Sequence, residues 1–360
     1  MTNPLNEVRQ LGQSIWLDNL SRALLQEKTL ERLIMQDGIC GVTSNPSIFH
    51  KAVSGGPYYS ADLARLKGDT QNAEQRYEQL VIPDIQAACD LLRPVYETSG
   101  GNDGYVSLEV SPRLAYDEDA TVAAAKRLSS AVKRVNLLIK VPATPPGVRA
   151  FERLIGDGIS VNVTLMFSLH HVMEIAQAYI RGARRWIEQG GNARRLKSVA
   201  SLFLSRIDTL VDRQLELLGN DRARSLSGKT GVALAKLAYQ RYKDLFHGPA
   251  FADLQRAGLR PQHLLWASTG TKNPNYRDVL YVESLIGPET VNTLPDATLA
   301  AFRDHGKVGL TLEQDVAQSK NQFLTLEQVG VDLRNVGETL QVEGVKLFDE
   351  AYSKLLELVA

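Results

Sequence analysis

The chain has 360 residues, 44% of them hydrophobic, and its 41 basic residues are balanced by 41 acidic ones. That is enough apolar material for one large core. The absence of any basic block argues against nucleic acid as a partner, and no run reaches the roughly 18 apolar residues of a membrane span. Balanced charge still leaves room for a small anionic ligand, which needs only a few local cations. Cys40 and Cys89 are too few for a disulfide framework and fit a reducing compartment. The polar segment Met1 to Gln10 lacks the apolar core of a signal peptide. The expected location is the cytoplasm, and the sequence fits a monomer or a homodimer equally.

In chain order, β-rich runs alternate with helical periodicity. Strands are predicted over 14–18, 39–43, 105–110, 136–141, 159–165, 198–204, 264–268 and 290–294. Helices are predicted over 73–92, 120–134, 148–156 and 169–188. Two more, 208–218 and 232–246, lie between the sixth and seventh strands, and three follow the eighth at 312–319, 325–333 and 335–359. Strands alternating with helices imply a parallel α/β sheet, and eight of them imply a closed (β/α)₈ TIM barrel. The expected architecture is therefore one domain over 1–360, with additional helices after strand six and at the C-terminus. Residues 305–360 are expected to form helices packed on the barrel.

The polar residues in these strands sit where a barrel interior should be apolar. Strand side chains alternate between the helix layer and the barrel axis. Val106, Leu108 and Val110 oppose Ser107, Glu109 and Ser111; Ile139 and Val141 oppose Leu138 and Lys140; Val161, Val163 and Leu165 oppose Asn162 and Thr164. Glu109, Lys140, Asn162 and Thr164 are thus expected to point inward near the carboxyl ends of their strands. Asp18 ends the first strand and Asn45 follows the second. A buried polar set of this kind is costly unless paired or functional, and carboxyl-end polar residues of this fold form the active site.

Such a set supports Schiff-base chemistry. A lysine among apolar neighbours loses proton affinity and becomes a nucleophile toward a ketone. The iminium it forms is an electron sink that permits cleavage of a neighbouring carbon–carbon bond. On this reading Glu109 and Thr164 position water, Asp18 takes a hydroxyl proton, and Asn45 and Asn162 hold hydroxyls. Arg206, after strand six, and Lys272, in the hydroxyl-rich turn after strand seven, are candidate phosphate ligands. The competing reading makes Lys140 a structural ion-pair partner of Glu109 or Asp18. His170-His171 lacks a companion ligand pattern, so no metal is expected. Tyr58-Tyr59 suits either a mouth cover or core packing, and Phe203 either a pocket wall or barrel filling.

Three motifs resemble those of the transaldolase family: Thr43-Ser44-Asn45-Pro46-Ser47-Ile48, Asn136-Leu137-Leu138-Ile139-Lys140-Val141-Pro142-Ala143-Thr144 and Ile159-Ser160-Val161-Asn162-Val163-Thr164-Leu165-Met166-Phe167-Ser168. The resemblance runs from about Ile15 to Asn292 and is nearest the longer actinobacterial and cyanobacterial branch. It implies a Schiff-base role for Lys140, acid–base work for Asp18, and handling of the catalytic water by Glu109 and Thr164. It implies substrate binding by Asn45, Asn162, Ser201 and Phe203, phosphate binding by Arg206 and Lys272, and no cofactor. The implied partners are sugar phosphates of the pentose phosphate pathway, sedoheptulose 7-phosphate and glyceraldehyde 3-phosphate among them. Ser201-Leu202-Phe203-Leu204-Ser205-Arg206 keeps serine, phenylalanine and arginine in the register of the best-known branch. Ser268-Thr269-Gly270-Thr271-Lys272-Asn273 is longer than its counterpart there, the Ser-Phe-Arg-Asn of that branch. A Schiff-base aldolase that works without an acceptor, a non-enzymatic phosphosugar-binding barrel and a metal-dependent barrel isomerase are the alternatives the residues leave open.

Overall fold

In the computed structural model, which describes residues 3–66 and 70–360, the eight apolar runs become strands. They are β1 (Gln13–Leu17), β2 (Gly41–Thr43), β3 (Tyr105–Glu109), β4 (Leu137–Pro142), β5 (Val161–Met166), β6 (Ser198–Phe203), β7 (His263–Ala267) and β8 (Thr290–Leu294). Each pairs in parallel with its sequence neighbour, and β1 closes on β8 from Gln13↔Thr290 to Leu17↔Leu294. The fold is the expected (β/α)₈ barrel. Val106, Leu108, Ile139, Val141, Val161 and Val163 are all buried. β-Branched and leucine side chains suit strands covered on both faces.

The loops at the carboxyl end of the barrel are fixed by the helices that follow them. Asn45, Thr144 and Ser168 are the N-caps of helices Pro46–Ser54, Pro145–Gly156 and Leu169–Glu188. Their side-chain oxygens accept from the backbone N–H groups of Ile48, Gly147 and His171, satisfying donors that a helix start leaves unpaired.

Three expectations are corrected. The alternation of β5 stops before its end: Leu165 adopts φ 60° at an irregularity between Val163 and Met166, so it does not continue the face of Val161 and Val163. The helices expected at 312–319 and 325–333 are one helix, Val316–Gln328, because 320–324 carries no breaker. The helix expected at 73–92 continues to Thr98 through Pro83 and Pro94. Helices Pro4–Gln10, Arg22–Gln26 and Thr29–Asp37, before and after β1, lacked a sequence signal long enough to read.

The last helix, Leu333–Val359, is fastened to the barrel mouth. Gln341 Nε2 donates to the carbonyls of Ala143 (2.8 Å) and Leu165 (3.1 Å). The helix approaches closely because two positions carry no side chain. A Cβ on Gly344 would lie 2.8 Å from Leu165 Cδ2, and one on Gly337 would lie 2.8 Å from Ser168 Cβ. Farther along, the Tyr352 hydroxyl donates to Glu74 Oε1.

The amino end of the barrel holds a second buried polar group that the strand patterns did not suggest. Lys197 Nζ donates to Asn102 Oδ1 (3.0 Å) and lies 3.2 Å from His263 Nδ1, while Trp16 Nε1 donates to Asp103 Oδ1. Burial brings the Lys197 pKa down to about 7 and pulls His263 well below its ordinary value.

Candidate active site

The register that closes the barrel also assembles the site. Glu109 of β3 pairs with Lys140 of β4, and Lys140 pairs with Asn162 of β5, so the three side chains lie side by side on the inner face. Lys140 is only 4% exposed and Glu109 8%. Lys140 Nζ donates to the carbonyl of Ser44 (3.3 Å) and lies 3.6 Å from Glu109 Oε2. That distance holds an ion pair but is too long for a hydrogen bond. Desolvation raises the Glu109 pKa to about 7, against the opposing pull of Lys140.

Two buried polar atoms here have no hydrogen-bond partner among the described residues: Glu109 Oε2 and the hydroxyl of Thr164. Each keeps hydrogen-bonding capacity that a small polar group could take up. Asp18, at the end of β1, accepts from the Thr43 hydroxyl (2.7 Å), and burial raises its pKa despite Lys140 and that hydrogen bond.

Asp18, Asn45, Lys140, Ser201, Phe203, Arg206 and Lys272 all line one cavity of 160 Å³ at the barrel mouth. Glu109, Thr164 and Asn162 do not line it. Glu109 reaches it through Lys140. Asn162 reaches it through Ser201, whose hydroxyl donates to Asn162 Oδ1 (2.7 Å), while Asn162 Nδ2 donates to the Ser107 hydroxyl (3.0 Å). Asn162 therefore sets the direction of Ser201 rather than facing the cavity, and Asn45 has its oxygen committed to the helix cap, leaving its amide N–H₂. An apolar cavity of 210 Å³ lies outside the barrel around Phe167, Leu234 and Phe323 and contains none of these groups.

Arg206 makes no salt bridge among the described residues, and Glu343 acts on it only at longer range. Its guanidinium carbon stands 5.5 Å from the centre of the Phe203 ring and 6.0 Å from that of Phe348. Burial lowers its pKa from the ordinary arginine value. Aromatic faces hold a guanidinium in place without occupying its N–H donors, which stay available to an oxyanion. Helix Ser205–Leu218, which carries Arg206, starts without a side-chain cap, and this also favours an anion there. Lys272 is exposed and lines the same cavity as Arg206.

Tyr58 and Tyr59 divide the two roles offered to them. Tyr59 is buried and its hydroxyl donates to Asp84, whereas Tyr58 lines a 420 Å³ groove that shares Asp18 with the site. His171 has its Nδ1 taken by the N–H of Phe167. Phe348, from the last helix, lines the cavity and was not expected: nothing in a helical repeat tells which of its residues overhangs a barrel.

Fold and site together define an α/β barrel with a buried lysine amine and a buried glutamate at its mouth. The chain belongs to the transaldolase/fructose-6-phosphate aldolase family, whose model matches residues 15–359. The match extends past the motifs and takes in the last helix. The chain is 56% identical over 354 residues to a transaldolase of Thiobacillus denitrificans, covering 98% of this chain and 99% of that one. It is 44% identical over 361 residues to a transaldolase of Frankia alni, covering 100% and 97%. It is 42% identical over 366 residues to transaldolase 2 of Nostoc punctiforme, covering 99% and 96%.

Proposed function

We propose that the chain is a transaldolase. It transfers a dihydroxyacetone unit from sedoheptulose 7-phosphate to glyceraldehyde 3-phosphate, giving erythrose 4-phosphate and fructose 6-phosphate, through a Schiff base on Lys140. The observation that carries this reading is the buried Lys140 amine beside Glu109, in one cavity with an arginine that makes no salt bridge among the described residues.

In this reading the ketose phosphate binds with its phosphate on Arg206 and Lys272, and its C2 carbonyl meets Lys140 Nζ. Addition gives a carbinolamine, and loss of water gives the iminium. Glu109, with a pKa of about 7, supplies and then recovers the proton of that water, which lies between its free oxygen and the Thr164 hydroxyl. Asp18 takes the C4 hydroxyl proton, the C3–C4 bond breaks, and its electron pair passes into the iminium to give an enamine. The aldose leaves, the enamine carbon attacks the acceptor aldehyde, and the steps reverse. Ser201, oriented by Asn162, and the Asn45 amide hold the hydroxyls of the bound fragment, and Phe203 forms the wall.

No helix among the described residues is long and apolar enough to cross a membrane. Our reading is of one catalytic unit acting in the cytoplasm, where Cys40 and Cys89, both buried and free, stay reduced. Treatment with borohydride in the presence of fructose 6-phosphate tests the mechanism: a covalent adduct on Lys140 is expected, and its absence rejects the Schiff base. Steady cleavage of fructose 6-phosphate without an acceptor aldose would instead favour an aldolase that releases free dihydroxyacetone.

A further inference from the structure

The last helix places one side chain in the cavity, Phe348, and places it against two of the site's three cations, Lys140 and Arg206. Its ring centre is 5.9 Å from Lys140 Nζ and 6.0 Å from the guanidinium carbon of Arg206, and it is only 4% exposed. The ring belongs to the hydrophobic core, and two cations also stand over its face. Its position is over-determined. Gln341, Gly337 and Gly344 hold the helix one to three turns upstream, and Tyr352 holds it one turn downstream.

We propose that Phe348 is a further active-site residue: its ring stabilises the cationic iminium on Lys140 and keeps Arg206 in place for the substrate phosphate. This rests on the Schiff-base reading of Lys140. The charge appears when the neutral carbinolamine expels water, with the nitrogen lone pair forming the C=N bond and hydroxide leaving as water after protonation. The iminium has one N–H where an ammonium has three, so hydrogen bonds compensate it poorly and an aromatic face within about 6 Å compensates it well. The same ring closes the cavity above the amine and so opposes hydrolysis before the acceptor arrives.

The test follows the ratio of iminium to uncommitted complex by borohydride trapping with fructose 6-phosphate, in the full-length protein. Phenylalanine analogues with one, two or three ring fluorines are placed at position 348. They keep the shape of the side chain while weakening its π face. The trapped ratio is expected to fall stepwise, by about tenfold overall, the range of cation–π contacts in desolvated sites. Phe348→Leu should show a similar loss and Phe348→Tyr should restore the ratio to within about twofold of the parent. An unchanged ratio across the fluorinated series overturns the proposal, and so does a Phe348→Leu protein that traps as well as the parent. If Phe348→Leu fails to fold, the fluorinated series decides. A parent protein that forms no adduct on Lys140 fails the Schiff-base reading itself and is thereby told apart from a failure at Phe348.

Discussion

Glu109 Oε2 stands 3.6 Å from Lys140 Nζ and accepts no hydrogen bond from it. A purely structural ion pair would close that gap, because direct hydrogen bonds are what compensate two buried charges for lost hydration. The open spacing instead leaves the carboxyl oxygen available to a third group.

The pKa of about 7 at Glu109 makes this testable by pH. If its carboxylate form works as the base, kcat/KM should rise through an acidic limb with a midpoint near that value. In Glu109→Gln the limb should vanish, with kcat reduced about 100-fold or more and KM changed far less. Stability should move too. A carboxyl whose folded pKa is raised contributes stability that is full below its ordinary value of 4.5 and lost as pH rises through about 7. The glutamine variant should therefore gain on the parent in urea-melt midpoint between pH 5 and pH 8. A limb that persists in the variant contradicts the assignment.

Lys140→Met should lower turnover by more than about 10⁴-fold and abolish borohydride trapping. Folding should survive, because Glu109, left without its partner, can take up a proton. Loss of the cooperative thermal transition along with activity would instead return Lys140 to a structural role.

Arg206→Met should reduce kcat/KM for phosphorylated substrates by about 10- to 100-fold, the scale of hydrogen bonds to a charged group. Cleavage of unphosphorylated ketoses should hardly change. Lys272→Met should cost only a few-fold, since its charge is exposed and screened. Equal losses on both substrate classes would show that neither cation reads phosphate.

Most of the fold could be read before the structure because eight short runs of Val, Ile and Leu, each followed by a helical period, suit strands buried on both faces and little else. Lys140, Glu109, Asp18 and Arg206 could be read because each breaks or ends such a run. Phe348 could not. Its place depends on where Leu333–Val359 crosses the mouth, and that is set by Gln341 and two glycines meeting Leu165 and Ser168 more than 150 residues earlier. Leu165 itself misled, since a backbone with φ 60° leaves no trace in a Val-Asn-Val-Thr-Leu pattern. Lys197 escaped because it precedes its strand instead of interrupting it.

Gln341→Leu tests the fastening of that helix. It leaves the carbonyls of Ala143 and Leu165 buried without their donor, and a loss of about 2 kcal/mol in urea unfolding is expected. kcat/KM should fall with it even though Gln341 does not line the cavity. Unaltered catalysis in a destabilised protein would separate the helix from the chemistry.

Lys197 gives the opposite pH signature to Glu109. Its folded pKa of about 7 lies below its ordinary 10.5, so burying it destabilises most at and below pH 7 and ever less as pH climbs toward 10.5. The difference in melting midpoint between Lys197→Met and the parent should favour the variant most near pH 7 and shrink by pH 10. A difference independent of pH would mean that folding does not lower the pKa of this amine.

The helix that overhangs Lys140 is also the last of these elements to leave the ribosome. A nascent chain that has emerged as far as β8 already owns every strand, the amine and its glutamate, yet lacks the roof above them. The mouth of the barrel is thus roofed only once Phe348 is in place.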